Sequence, residues 1–464
     1  LLLAGIVLAA LFIGAALPLY VGLMGGKLGK LAAVPAVLLF AFLLIYDRKL
    51  TFIVIMVFRA SGDIFLSFTR FSLGGSEIGI GGLINALIIG IALMLVFEKP
   101  REIPGRSVAM WWGFMLVSLA SVFVSPTKAD AVRTWLTMVS CFAVFASTFH
   151  LVKTREDFTF CVKLVLWSSV FPVFFGFVDI ALNHASGGPD GFRVRSTFGH
   201  PNEFAFYLTV VLTLAFYRWK TMPVTKRSGG PARMILACYM LVVISMLVLT
   251  KTRSAWLACA LEFTLYAVLF ERRYLLYMAG MAMLAPFIPG VADRLGDLGK
   301  GNEVTTYAQL NSFAWRVYLW ESALNSMRPL QYLIGNGLLA FRESSQEFFP
   351  LAGRVKWGAH SVFVQLIYEM GALGVASYLL VYLGVLRQLT RMLKLDKLGA
   401  FFLMVIVVNY LICAISDNML DYLAFNWYMW FAVGAGCALV RANLPAKTKD
   451  RFHTNLNTAP GIGA

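Results

Sequence analysis

Trp357-Gly358-Ala359-His360-Ser361 closes the longest hydrophilic interval of the chain, and the apolar run 361–386 follows directly from it. About 20 consecutive apolar residues are enough for a helix to cross a bilayer, so this junction reads as a loop re-entering a membrane. Similar runs recur on both sides of it. Downstream lie 398–415 and 422–441. Upstream lie 1–24, 31–46, 51–66, 78–97, 108–124, 131–149, 160–182, 201–218, 233–250, 254–270 and 274–289. The composition agrees. Of 464 residues, 59% are hydrophobic and 14% charged, where a soluble domain carries about 25% charged residues. The mean hydropathy is +0.75. No period-2 alternation marks the strands of a membrane barrel. The expected fold is therefore all-α, a polytopic helical integral membrane protein. It has 12–14 transmembrane helices, depending on whether 31–46 and 51–66 are short spans or a re-entrant hairpin around Tyr46-Asp47-Arg48-Lys49.

The expected organisation is a transmembrane bundle over 1–289, a large loop over 290–359, C-terminal spans over 360–443 and a tail over 444–464, disordered from Lys447. The first apolar run is read as a helix rather than a cleaved leader. An even number of spans puts both termini on one side. Loops rich in Lys and Arg fall on alternate turns, and the 218–233 loop alone holds Arg218, Lys220, Lys226, Arg227 and Arg233 with no acid. The orientation rule puts that set, with the tail, in the cytoplasm. The opposite set, 183–200, 251–253, 290–359 and 416–421, then faces outward. The net charge of +16 reflects this bias and contact with anionic membrane lipids, and it does not imply nucleic acid. Cys141, Cys161, Cys238, Cys259, Cys413 and Cys437 all sit in apolar runs without a CxxC or a Cys/His cluster. They read as small buried hydrophobes rather than disulfides or metal ligands.

The 290–359 interval is too long for a plain connection. Phe313, Val317, Trp320, Leu324 and Met327 recur at helical spacing, and Pro329 follows. The pattern predicts an amphipathic helix. With Trp315 and Tyr318 beside it, the helix is expected to lie as a lid along the outer surface.

Basic residues on the outer side stand out because the orientation rule depletes them there. Arg193 and Arg195 lie in the Gly-rich 183–200 loop, Lys251 and Arg253 in a turn of almost no length, and Arg316 on the lid helix. Charge held at such depth is costly unless it is paired or lines a cavity. Arginine binds phosphate oxygens through two parallel bonds, so a diphosphate cradle is one reading. Contact with headgroups or with Asp190, Glu203 and Glu321 is the other. His200-Pro201-Asn202 starts a helix, with Pro in its first turn. His360 ends the loop and opens a span; a neutral imidazole there can accept a hydroxyl proton, or it can simply cap the helix. The outer acids are scattered and no metal-ligand cluster is visible, so neither a metal nor another cofactor is indicated.

His360-Ser361, then nine residues, Gly371, two residues and Gly374 resemble the O-antigen ligase family, within the O-antigen ligase and polymerase superfamily. Further similarity lies in Gly199-His200-Pro201-Asn202-Glu203-Phe204, in Thr250-Lys251-Thr252-Arg253-Ser254, and in Arg316 to Trp320 followed by Gly335-Asn336-Gly337. The resemblance covers about residues 190–390. It implies a GT-C-like, metal-independent, inverting glycosyltransferase of the bacterial inner membrane. Such an enzyme transfers a glycan from undecaprenyl diphosphate to a sugar hydroxyl of lipid A–core at the periplasmic face, in lipopolysaccharide biosynthesis. His360 would be the general base. Arg195, Arg253 and Arg316, with Arg193 and Lys251, would hold the diphosphate, and Ser361, His200 and Asn202 would support the site. An O-antigen polymerase and a protein O-oligosaccharyltransferase use related chemistry. A polysaccharide transporter or flippase is the alternative of a different class.

Overall fold

The computed structural model describes residues 46–68, 71–73, 76–78, 80–183, 192–223, 229–284 and 312–444, with isolated residues between them. The runs expected at 1–24 and most of 31–46, the tail from 445 and most of the 285–311 stretch lie outside the described residues.

Every apolar run from residue 51 onward coincides with a helix. The first, α1, covers Arg48–Phe68, and a hairpin of β1 (Phe71–Leu73) and β2 (Ser76–Ile78) follows. Next come α2 (Ile80–Glu98), α3 (Gly105–Val124), α4 (Lys128–Leu151), α5 (Arg155–Asn183) and α6 (Pro201–Thr221). The bundle continues with α7 (Gly229–Leu249), α8 (Arg253–Leu269) and α9 (Arg273–Leu284). A helical cap contains α10 (Ser312–Asn325), α11 (Gln331–Ile334) and α12 (Ala340–Phe348). The last three helices are α13 (Val362–Met392), α14 (Lys397–Cys413) and α15 (Leu423–Ala442).

The protein is a polytopic helical membrane protein in its architecture. Among the described residues, seven helices are long and apolar enough to cross a membrane: α2, α3, α4, α5, α7, α13 and α15. Residues 51–66 are not a short separate run, and whether they pair with 31–46 in a hairpin lies outside the described residues. They belong to the single 21-residue helix α1, about 31 Å long at 1.5 Å per residue. The stretch around Ser61 read as polar continues that helix to Phe68 before the hairpin turns.

α15 is the centre of the bundle, with 94% of its span buried. It packs on α4, α13, α5, α6 and α14. Small residues permit this. A Cβ at Gly434 would sit 2.7 Å from Thr148 Oγ1 on α4, and one at Gly436 would sit 2.3 Å from Leu403 on α14. Close backbone approach of this kind is how helices pack without a hydrophobic driving force between them. Polar contacts fix the register: Trp427 Nε1 donates to Ser140 Oγ at 2.9 Å, and the Tyr428 hydroxyl donates to Met56 O at 2.6 Å.

The two ends of the bundle differ. At one end the connections are tied by acids to basic residues. Lys153 pairs with Glu102 at 2.5 Å, Arg155 with Asp396 at 3.2 Å, and Lys220 with Glu271. At the other end lie the segments 192–200, 250–252 and 414–422, and Arg316 of the cap donates to Ser416 O. Val194 N donates to Leu249 O, and Val362 N to Ala414 O.

The cap has its own apolar core of Leu319, Ala323, Met327, Phe341, Phe349 and Tyr368. Leu324 and Met327 of the expected stripe join this core, and the N-terminal part of the stripe does not. The buried face of α10 runs through Leu319 and Ala323, while Phe313 is 59% exposed. The cysteine expectation also needs one correction: Cys238 is exposed.

Candidate active site

His360 lies where the cap ends and α13 begins. Its φ of 49° is left-handed, a conformation that costs a non-glycine residue energy and persists only where the surroundings over-determine it. Two hydrogen bonds bracket it. Trp320 Nε1 on α10 donates to Ala359 O at 2.6 Å, and Val362 N donates to Ala414 O at 2.8 Å. Ser361 is the N-cap of α13, its hydroxyl accepting from Val364 N at 3.4 Å. A Cβ on Gly358 would meet the Asn418 amide at 2.6 Å, so the glycine admits that side chain. The Trp315 ring stands edge-on to the imidazole at 6.0 Å.

Asp417 organises the neighbouring groups. It is buried; its Oδ2 accepts from Asn202 Nδ2 at 2.7 Å and its Oδ1 from the Tyr422 hydroxyl at 2.6 Å. Arg316 Nη1 donates to Ser416 O, the residue before it. Desolvation pushes the His360 ring down to about 4, Arg316 pushes the same way, and Asp417 partly opposes both. His360 is therefore neutral at pH 7. His200 is lowered too, first by desolvation and then by Arg193 and Arg316, against Asp417. Its Nδ1 accepts from Asn202 N at 3.1 Å, which caps α6 and leaves that nitrogen without a proton.

The remaining basic residues differ in what they do. Arg193 ties the 192–200 segment to the α7–α8 turn: Nε donates to Thr250 O at 2.8 Å, and Nη2 to Asn202 Oδ1 at 2.6 Å and Thr252 Oγ1 at 3.1 Å. Arg195 carries an exposed guanidinium, while its backbone N–H and that of Ser196 donate to Asp179 Oδ2 at 2.9 and 3.0 Å. Lys251 has a left-handed φ of 52°, and Arg253 is the first residue of α8. Among the described residues, three of the four left-handed non-glycine residues, Ser196, Lys251 and His360, fall in the segments that build this end. The sequence reading passed over Asp417 and Tyr422, and took Trp315 only as an interfacial aromatic of the lid helix. The available signal was an acid in the very short outer loop between two spans.

Gly371 explains the spacing of the glycine motif. α13 bends there, at φ 65° and ψ −166°, a region that is essentially glycine's alone. The bend frees two carbonyls. Asn336 N donates to Tyr368 O at 2.8 Å and Gly337 N to Glu369 O at 2.9 Å. The approach is so close that a Cβ on Gly335 would sit 2.3 Å from the Glu369 backbone, and one on Gly371 would sit 2.2 Å from that of Leu333. Gly335-Asn336-Gly337 is thus the clasp that fastens the cap to α13.

Among the described residues, no group of three or more His, Cys, Asp or Glu side chains is placed to hold a metal ion. The fold and this end of it define a polytopic helical membrane protein with two histidines of lowered proton affinity close to Arg193, Arg316 and Asp417. Residues 238–379 match the O-antigen ligase family. The matched segment contains Lys251, Arg253, Arg316, His360, Ser361, Gly371 and Gly374. The match covers 142 of the 464 residues. No curated protein matches the chain.

Proposed function

We propose that the protein is an O-antigen ligase of the bacterial inner membrane. It transfers a glycan from undecaprenyl diphosphate to a sugar hydroxyl of lipid A–core, with both termini cytoplasmic and the His360 end periplasmic. The observation that carries this reading is a neutral His360, held in a strained conformation beside Arg316 and Asp417. A neutral imidazole has a lone pair for the acceptor's hydroxyl proton. As that proton moves to His360, the acceptor oxygen bonds to the anomeric carbon and the bond from that carbon to the diphosphate oxygen breaks. Direct displacement inverts the centre. No metal is needed if Arg195, Arg253 and Arg316, with Lys251, take the charge of the departing diphosphate. Arg193 keeps that site assembled through Thr250, Asn202 and Thr252. The diphosphate also tunes the base: its negative charge offsets Arg316, so donor binding raises the proton affinity of His360.

The test uses purified protein in detergent with undecaprenyl diphosphate-linked glycan and lipid A–core. Glycan appearing on lipid A–core is the expected result. Lengthened lipid-linked glycan would make the enzyme a polymerase instead, and the absence of any covalent product would sink the glycosyl-transfer reading.

A further inference from the structure

A second cavity lies at the end of the bundle away from His360. α13 begins beside His360 and runs 31 residues to Met392, roughly 45 Å of helix at 1.5 Å per residue. Three helices come together at that far end, α13 and α15 by their C-termini and α3 by its N-terminus. The cavity between them measures about 60 Å³. A water-sized atom needs about 10–15 Å³, so there is room for one small polar group.

Three arginines line it. Gly384, Arg387, Gln388 and Arg391 fall at i, i+3, i+4 and i+7, on one face of α13. Arg441 comes from the last turn of α15, and Ser107 from the start of α3. Arg441 is buried, whereas Arg387 and Arg391 are exposed, so the cavity is reached from the surface. Ser107 Oγ donates to Gln388 Oε1 at 2.9 Å and Gln388 Nε2 to Cys437 O at 3.1 Å, which ties the three helices together.

Among the described residues, no acid lines the cavity. The acids of this end hold other cations: Glu102 pairs with Lys153, Asp396 with Arg155 and Glu271 with Lys220. The chain after Leu444 adds Lys447, Lys449 and Arg451 against Asp450. Cations at the ends of α13 and α15 suit the negative ends of those helix dipoles. That explains basic residues here but not their convergence. Arg387 and Arg391 repel each other at i, i+4. All three arginines also meet the positive end of α3, which has no side-chain cap. An anion in the cavity relieves both penalties.

We propose that this cavity binds the phosphate of an anionic lipid headgroup. Guanidinium groups grip phosphate oxygens through paired bonds, and a helix N-terminus adds backbone N–H donors. Position selects a lipid as the source. α3, α13 and α15 are all long and apolar enough to cross a membrane, so their ends reach the headgroup layer, where basic pockets between helices take lipid phosphates. Charge selects among lipids, because a zwitterionic headgroup brings its own cation towards three arginines. The proposal rests on the membrane architecture and not on glycosyl transfer.

The probes are dioleoyl phosphatidylglycerol, dioleoyl phosphatidylethanolamine and inorganic phosphate. Each is titrated against the delipidated full-length protein in detergent and read by native mass spectrometry. Phosphatidylglycerol should bind at least tenfold more tightly than phosphatidylethanolamine. The preference should disappear in Arg387→Gln/Arg391→Gln and persist in Lys394→Gln, which removes a nearby cation outside the cavity. Arg391→Gln alone, which should weaken the preference, serves if the double variant loses the wild-type melting temperature. Equal binding of the two lipids, or a preference that the arginine variants keep or Lys394→Gln loses, would overturn the proposal. Saturable binding of inorganic phosphate that needs Arg387 and Arg391, without any lipid preference, would assign the arginines to a free phosphate and overturn the lipid assignment.

Discussion

His360 was legible in the sequence because an isolated histidine at a loop-to-span junction is conspicuous. Its environment was not legible. Asp417 belongs to a different part of the chain, and only folding brings it to Asn202 and Tyr422. Arg193 has a second role that the sequence did not reveal. Its position suggested a phosphate ligand, and its Nε and Nη2 also join two loops. Composition cannot separate those roles, because both require a cation at the same depth. The pH dependence follows from the lowered His360 ring. A general base must be unprotonated, so kcat/KM, which reports the free enzyme, should stay level on acidification until the pH nears about 4. The acid limb of kcat, which reports the donor complex, should lie at higher pH, because bound diphosphate offsets Arg316. Parallel rate profiles with identical acid limbs would refute that coupling. Arg253→Ala and Arg316→Ala should each lose roughly 100-fold in kcat/KM, near the 3 kcal/mol typical of a lost electrostatic donor. Arg253→Lys should remain impaired if the forked geometry matters, and normal turnover in it would mean that charge alone suffices.

Helical periodicity located α10 and placed Leu324 and Met327 in the core, but missed Leu319 and Ala323. The stripe through Phe313 and Trp320 is regular, yet Leu319 and Ala323 face the cap's core. Periodicity counts apolar residues and cannot tell which apolar arc a neighbour will cover, least of all where aromatics border a membrane. The glycine spacing was equally visible and its meaning hidden. Gly371 and Gly335 serve backbone contact between the cap and α13, which no local pattern reveals. Gly371→Ala should cost at least about 1–3 kcal/mol from its backbone conformation, with the steric clash in addition. The expected signature is a lower melting temperature and faster proteolysis of the cap. Unchanged protease sensitivity of the cap would show that the clasp does not hold it.

Across the whole molecule the hydropathy pattern gave the fold class and the helix positions, since lipid leaves a spanning chain few options besides the helix. It gave no hint that α15 is central, because its burial depends on Gly434 and Gly436 meeting α4 and α14. The orientation rule predicts opposite sides for the two ends of the bundle. In a Cys238→Ser background, an impermeant thiol reagent applied outside should label Lys356→Cys in the cap and spare Lys394→Cys between α13 and α14. Equal labelling of both in sealed spheroplasts would refute that topology. The most direct measurement is single-turnover glycan transfer by His360→Asn, since asparagine tolerates a left-handed φ and removes the imidazole alone. The rate should fall about 10²- to 10⁴-fold with donor binding and melting temperature preserved; transfer at close to the wild-type rate would contradict the account.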